Sequence, residues 1–191
     1  MFKREHRCEW REQAASLARE LQQLRHNAAF EDPGTGVGNL PQLNRDFTKL
    51  LGRYRRYEEP FAVSLIELDH YLRLGPHLEE VAVTQLARIL VESARVEDSV
   101  TRVGSRQFAV LLSRTDTAGA EAFVERARRY LSSEPCLTAE GTHFFQAMGG
   151  VAEWDDNVGT LRALLDEAQL SLERYWQQVD RDAAHYRAGS G

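Results

Sequence analysis

Arg95 and Asp98 stand three residues apart, a few residues ahead of the turn at Gly104. A guanidinium and a carboxylate at that spacing suit a guanine or phosphate ligand. The guanidinium bonds guanine O6 and N7 bidentately or grips a phosphate, and the carboxylate accepts from N1–H and N2–H. The same pair at a helix end also makes a solvated ion pair with no ligand. Other candidate sets are weaker. His70, His77 and His143 include no i, i+4 pair on one helix face, so they read as solvated or turn histidines and not as a metal set. Trp154, Trp176 and Tyr175 could stack on a base, but aromatics beside a strand end or on a helix stripe are more often core.

Strands and helices must hold these groups. The run from Arg102 to Leu112 lies in two short apolar strand halves, residues 99–103 and 108–112, joined by a turn in which Gly104 is free to take positive φ. Residues 61–67 read as a strand and 81–94 as a helix with Val83, Leu86, Leu90 and Val91 apolar. A helix over 118–131, a strand over 144–152 and a last helix over 161–175 follow. Pro41 fits the first turn of an earlier helix carrying Leu43, Phe47, Leu50 and Tyr54 on one side. Strands alternating with helices imply an α/β sandwich with helices on a mixed or antiparallel sheet. Upstream, Trp10, Ala14, Leu17, Leu21, Leu24 and Ala28 alternate at spacings of four and three, the a/d stripe of a heptad helix. Such a stripe suits a short coiled-coil arm or a helix lying back on its own domain. Turn residues from Asp32 onward end it, which divides the chain into a helical arm, 1–31, and a domain, 32–185.

Composition narrows the function classes. With 191 residues, 42% hydrophobic and 28% charged, the chain suits one well-cored domain plus a short appendage. A net charge of -5 argues against a general nucleic-acid binder. No apolar run approaches the ~18 residues of a membrane span, so no membrane insertion is expected. The first seven residues lack the apolar core of a signal peptide, so a cytoplasmic location is expected. Cys8 and Cys136 are far apart and read as two reduced thiols.

Five stretches, in order, resemble the GGDEF diguanylate cyclase family. Asp32-Pro-Gly-Thr35-Gly36-Val37-Gly-Asn39 is similar to its D-x-L-T-G-L-x-N-R motif, and the strand ending Glu67-Leu68-Asp69-His70-Tyr71 to its D-I-D-x-F-K motif. Gly104-Ser105-Arg106-Gln107-Phe108 stands where G-G-D/E-E-F is expected, Ala147-Met-Gly-Gly-Val-Ala152 resembles the S-x-G-x-A strand, and Leu164-Leu-Asp-Glu-Ala168 the final-helix pattern. The resemblance implies the nucleotidyl-cyclase-like α/β fold, a central mainly antiparallel sheet flanked by helices, here preceded by the heptad helix.

It also implies a damaged cyclase site. The family holds two Mg²⁺ on a triphosphate through anionic oxygens. In this chain Glu67 takes the first position, Gln107 loses the charge of the second, Arg106 brings a cation and Ser105 a side chain. Residues 74–77 are about four residues short of the family pattern and lack its guanine-selecting Asn, with Glu80 standing for the helix Asp. The phosphate-binding positions fall on Trp176 and Asp180. These substitutions set the expectation that the chain is not an enzyme and carries no cofactor. Arg95 and Asp98 match the family's R-x-x-D product-inhibition motif, and Arg53 its secondary arginine. Composition alone yields a basic then an acidic residue at one fixed offset about 2% of the time, which favours descent over accident. The reading is therefore a cyclic di-GMP receptor, binding at Arg95, Asp98 and Arg53 and acting as a homodimer on a partner protein. The alternative is a nucleotide-independent dimerising scaffold.

Overall fold

The computed structural model describes Ser16, residues 29–69 and residues 74–188, with side chains through 178. The heptad positions Trp10 to Ala28, and Cys8, His70 and Tyr71, lie outside the described residues. The elements run α1 (Leu40–Tyr57), β1 (Phe61–Leu68), α2 (Pro76–Ser93), β2 (Ser99–Arg102), β3 (Gln107–Ser113), α3 (Thr117–Ser133), β4 (Cys136–Thr138), β5 (Gly141–His143), β6 (Ala147–Glu153) and α4 (Leu161–Ala188).

Four strands form one sheet in the order β2-β3-β1-β6, antiparallel at every step. β1 is central and buried on both faces, which is why 61–66 is an unbroken apolar run apart from Ser64 and not an alternating one. On one face α2 and α3 pack through Ala82, Leu86, Phe123 and Leu131 against Ala62, Ile66, Phe108 and Val110. On the other, α1 and α4 pack through Leu43, Phe47, Leu164 and Leu172 against Phe61, Val63, Leu65 and Leu111. Trp154 belongs to this second core, stacked on Phe61 at 5.6 Å and edge-on to Phe47 at 5.2 Å, and Trp176 packs against its margin.

The sequence pattern places the main elements and errs at their ends. α2 begins at Pro76, not at residue 81, because Gly75 caps it and Pro76 supplies the fixed φ of a first helical residue. The β4/β5 hairpin was not anticipated: two three-residue strands, largely exposed, carry no usable periodicity. Gly104 does not take positive φ, which among the described glycines belongs to Gly36, Gly141 and Gly159. The turn closes instead through the amides of Val103 and Gly104, both donating to the Gln107 carbonyl at 2.9 and 3.1 Å. Arg102 wraps it, donating to the carbonyls of Gly104 (3.1 Å) and Ser105 (2.7 Å).

Candidate functional site

Arg95 and Asp98 occupy the turn between α2 and β2. The Asp98 carboxylate closes that turn: Oδ2 accepts the Arg95 amide at 2.8 Å, and Oδ1 accepts the Ser113 amide at the end of β3 at 3.0 Å. The two side chains form no ion pair with each other, so the surface-pair reading fails here. The Arg95 guanidinium has no hydrogen-bond or ion-pair partner among the described residues. It lines a cavity of about 330 Å³ with Asp98, Arg114, Asp116, Phe123 and Arg126. Arg126 is held there by the Ser93 carbonyl at 3.1 Å and lies 5.3 Å over the Phe123 ring. Arg114 holds φ at +50° and pairs with Glu97 at 3.2 Å. Three guanidiniums facing two carboxylates give the cavity a cationic surplus, suited to a ligand bearing phosphates.

Arg53 is not brought to this cavity. It pairs with Glu59 at 2.6 Å, although the adjacent Pro60 does line the wall. Arg114 and Arg126 were missed by sequence reasoning. The short spacing of Arg95 and Asp98 is visible in one dimension, whereas Arg126 arrives from another helix.

The hairpin turn lies at the other end of β3 from that cavity. Gln107 donates to Glu67 Oε2 at 3.3 Å and to Gln169 Oε1 on α4 at 3.0 Å. Arg106 leaves the strand end and pairs with Glu79 on α2. That hydrogen bond raises the Arg106 pKa, burial opposes it, and the charges of Glu79, Glu67 and Asp69 add to the rise. Beside it a second recess of about 330 Å³ is lined by Gly34, Thr35, Glu79, Glu80, Arg102 and Ser105. As the side chains stand, the donor set falls short of the two-metal centre that the family resemblance implies. Glu67 receives an amide N–H, Arg106 lies within the field of Glu67 and Asp69, and no group of three metal-ligating side chains occurs among the described residues. The Asp180 side chain lies outside the described residues.

The loop before α1 is stitched to this hairpin. Asp32 Oδ1 accepts from the Thr35 amide (3.0 Å), the Thr35 hydroxyl (2.7 Å) and Arg102 Nη1 (3.1 Å). Asn39 caps α1 through the Gln42 amide at 3.2 Å, and Gly38 bridges to Thr101 on the outer edge of β2. Burial pushes the Asp32 carboxyl up, but the hydrogen bonds from Thr35 and Arg102 outweigh it and the net shift is downward. Asp46 behaves alike, with burial outweighed by bonds from Lys49, Ser99 and Gln42. Glu79 is lowered first by its bond from Arg106.

Each of these carboxyls has a folded pKa below its unfolded value. Their contribution is therefore complete above the ordinary carboxylate range and lost as pH falls through the folded values. Urea midpoints measured at pH 7, 4 and 3 are expected to drop mainly between the last two. Asp32→Asn, which cannot titrate, is expected to lower the midpoint at pH 7 and flatten the acid slope.

The family model described as diguanylate cyclase, GGDEF domain, matches residues 29–181. The chain belongs to the GGDEF family. A probable diguanylate cyclase of Escherichia coli (strain K12), DgcT, is 28% identical over 106 residues, covering 53% of this chain and 23% of that protein. The chain spans about a quarter of the length of the curated relatives it matches. The fold is shared with the coiled coil and GGDEF domain of DgcB from Caulobacter crescentus, solved in complex with c-di-GMP. That match has a TM-score of 0.78 at 15% identity and covers 90% of this chain and 92% of that one. It is also shared with the diguanylate cyclase SiaD of Pseudomonas aeruginosa, solved with its activator SiaC, at a TM-score of 0.74 and 20% identity over 91% of this chain and 68% of that one.

The family match overturns one expectation. The substituted signature argued that the chain is not an enzyme, yet the matching family is that of the diguanylate cyclases and DgcT is named as one. The expectation of no activity is therefore set aside. Arg106 is drawn aside by its ion pair with Glu79, and the recess next to the hairpin remains.

Proposed function

We propose that this GGDEF domain binds cyclic di-GMP at the Arg95–Asp98 turn and passes the bound state to a second copy of itself and to a partner protein in the cytoplasm. The observation that carries the proposal is the cavity that Arg95, with no partner among the described residues, lines together with Asp98, Arg114 and Arg126. Guanidiniums at several angles suit the two phosphates and two guanine edges of a cyclic dinucleotide. That DgcB was solved with c-di-GMP, and SiaD with an activator protein, makes the same kinds of partner reasonable here.

Arg53 enters as a contact released from Glu59 when ligand bridges two copies. A ligand shifts an equilibrium only by its differential affinity for the two states, and bridging supplies that difference. In this reading residues 1–31 are the dimerising arm and 32–185 the domain it carries.

Calorimetry of the whole chain with cyclic di-GMP is the test. Saturable heat, and a shift to larger hydrodynamic size on adding ligand in size exclusion, are expected. A silent titration at high ligand concentration sinks the reading. Parallel incubation with GTP and Mg²⁺ reports turnover separately, so that product formed in place is not mistaken for added ligand.

A further inference from the structure

The sheet has one covered edge and one open edge. β2 is covered by Gly38, whose amide donates to the Val100 carbonyl at 3.0 Å and whose carbonyl accepts from Arg102 at 2.9 Å. Among the described residues β6 has a strand only on its β1 side. Trp154 donates to the Phe61 carbonyl at 2.9 Å and Asp69 to the Gln146 carbonyl at 2.9 Å. With the register of the pair, this aims the backbone of Gly150 and Ala152 inward at β1 and that of Ala147, Gly149, Val151 and Glu153 outward.

Two of the outward groups are met by side chains. Ser171 on α4 accepts the Val151 amide at 3.3 Å, and Arg128 on α3 donates to the Ala147 carbonyl at 2.9 Å. The outward amides and carbonyls of Gly149 and Glu153 have no partner among the described residues. This edge is the floor of a groove between α3 and α4. Two recesses meet there at Val151, one of about 520 Å³ toward Trp154 and Asp155, the other of about 270 Å³ toward Gly149 and Tyr175. Trp154 lines the first recess, its indole N–H buried and without an acceptor among the described residues.

Unpaired edges invite a strand, and what surrounds the edge decides which strand. Leu170 is 56% exposed on the α4 wall. Glu121, Asp155 and Glu167 rim the groove without a basic partner among the described residues, and Asp156 follows on the exposed turn. Of the two arginines on the rim, Arg128 is spent on Ala147, Glu125 and the Tyr175 ring, and Arg174 bonds the Leu170 carbonyl. A second copy would bring the same acids against themselves, so pairing of β6 with β6 is disfavoured, whereas a basic strand is complementary.

We propose that the β6 edge is a docking groove for an extended, basic segment of another protein, which adds a fifth strand to the sheet. Main-chain bonds to Gly149, Val151 and Glu153 supply the attachment, the incoming strand taking over the Val151 amide from Ser171. The acidic rim selects lysine- or arginine-bearing segments.

The test is a titration of the whole chain with a seven-residue capped peptide alternating lysine and threonine, followed by amide NMR. Shifts of the Gly149, Val151 and Glu153 amides and of the Trp154 indole N–H are expected. A glutamate–threonine peptide, and a lysine peptide carrying a central proline, are expected to bind at least about tenfold more weakly. The surface variant Glu121→Lys/Glu167→Lys, at two exposed acids on the rim, is expected to lose the lysine peptide while keeping the thermal midpoint of the parent chain. Equal response to the glutamate peptide, shifts confined to another face, or no shift at millimolar peptide overturns the proposal. So does concentration-dependent self-association through these same amides, which would assign the edge to a second copy.

Discussion

Replacing Gly150 by alanine is expected to be among the most damaging single substitutions in the domain. A Cβ at that position would lie 2.2 Å from the Ala168 carbonyl oxygen, 2.2 Å from the Leu172 amide nitrogen and 2.8 Å from the Leu172 Cα. All three are backbone atoms of α4, so no rotamer change relieves the overlap. Either the helix lifts from β6 or the strand leaves its register. Overpacking of this kind costs about 3 kcal/mol or more when the neighbour cannot move, a large part of a typical domain's stability. The displacement would also reach the hairpin, because Gln169, next to Ala168, holds the Gln107 amide at 3.0 Å.

Two neighbouring variants make the test internal. Gly149→Ala meets Val124 Cγ1 at 2.4 Å, a side-chain atom that can rotate, so a smaller loss is expected. Gly52→Ala, in α1 with nothing within 4 Å, is expected to stabilise by roughly 0.5–1 kcal/mol through the ordinary helix preference for alanine. Urea midpoints that fall in the order Gly52→Ala, parent, Gly149→Ala, Gly150→Ala, at constant slope, are the expected result. A Gly150→Ala midpoint equal to the parent's would refute the close helix–strand packing.

The same contrast between chain-local and long-range information explains what the sequence made legible. β1 was readable because a strand buried on both faces is an uninterrupted apolar run. The hairpin was readable because Phe108 to Leu112 follows a turn cluster. Arg95 and Asp98 were readable as a unit because the motif lies within four residues. Glu79 was not: the helix was expected to begin at 81, which left Glu79 in a loop, and the Arg106 cation then had no visible partner. The Gly75-Pro76 pair was the available signal, since proline at the first helical position sets the start. Arg126 had no local signal at all. Its helix reads as amphipathic whichever cavity its exposed side borders, and only the packing of α3 beside the α2 end brings it to Arg95. Judging the cyclase signature letter by letter failed for the same reason, because what Arg106 does depends on Glu79 27 residues away.

At the proposed cyclic di-GMP site, Arg95→Ala and Asp98→Ala are expected to abolish binding by different routes, and the difference is measurable. The Arg95 guanidinium has no partner to lose among the described residues, so its removal should leave the denaturation midpoint unchanged while ligand heat disappears. Asp98 is structural as well as exposed to the cavity. Its carboxylate accepts the Arg95 amide at 2.8 Å and the Ser113 amide at 3.0 Å, tying the turn to the end of β3. Hydrogen bonds to a charged group contribute about 1.5–3 kcal/mol, so Asp98→Ala should lower stability by an amount of that order and lose the ligand with it.

Asp98→Asn separates the two roles. Its single carbonyl oxygen satisfies one of the two backbone amides, and its NH₂ faces the guanine N1–H or N2–H donor-to-donor, so a partial loss of stability should accompany a near-complete loss of affinity. Arg114→Ala and Arg126→Ala then report how the cationic surplus is divided. Each should weaken binding by less than Arg95→Ala, because Arg114 is already paired with Glu97 and Arg126 with the Ser93 carbonyl. Retention of full ligand heat by Arg95→Ala, with Arg114 and Arg126 intact, would remove the turn from the binding site whatever the other variants do.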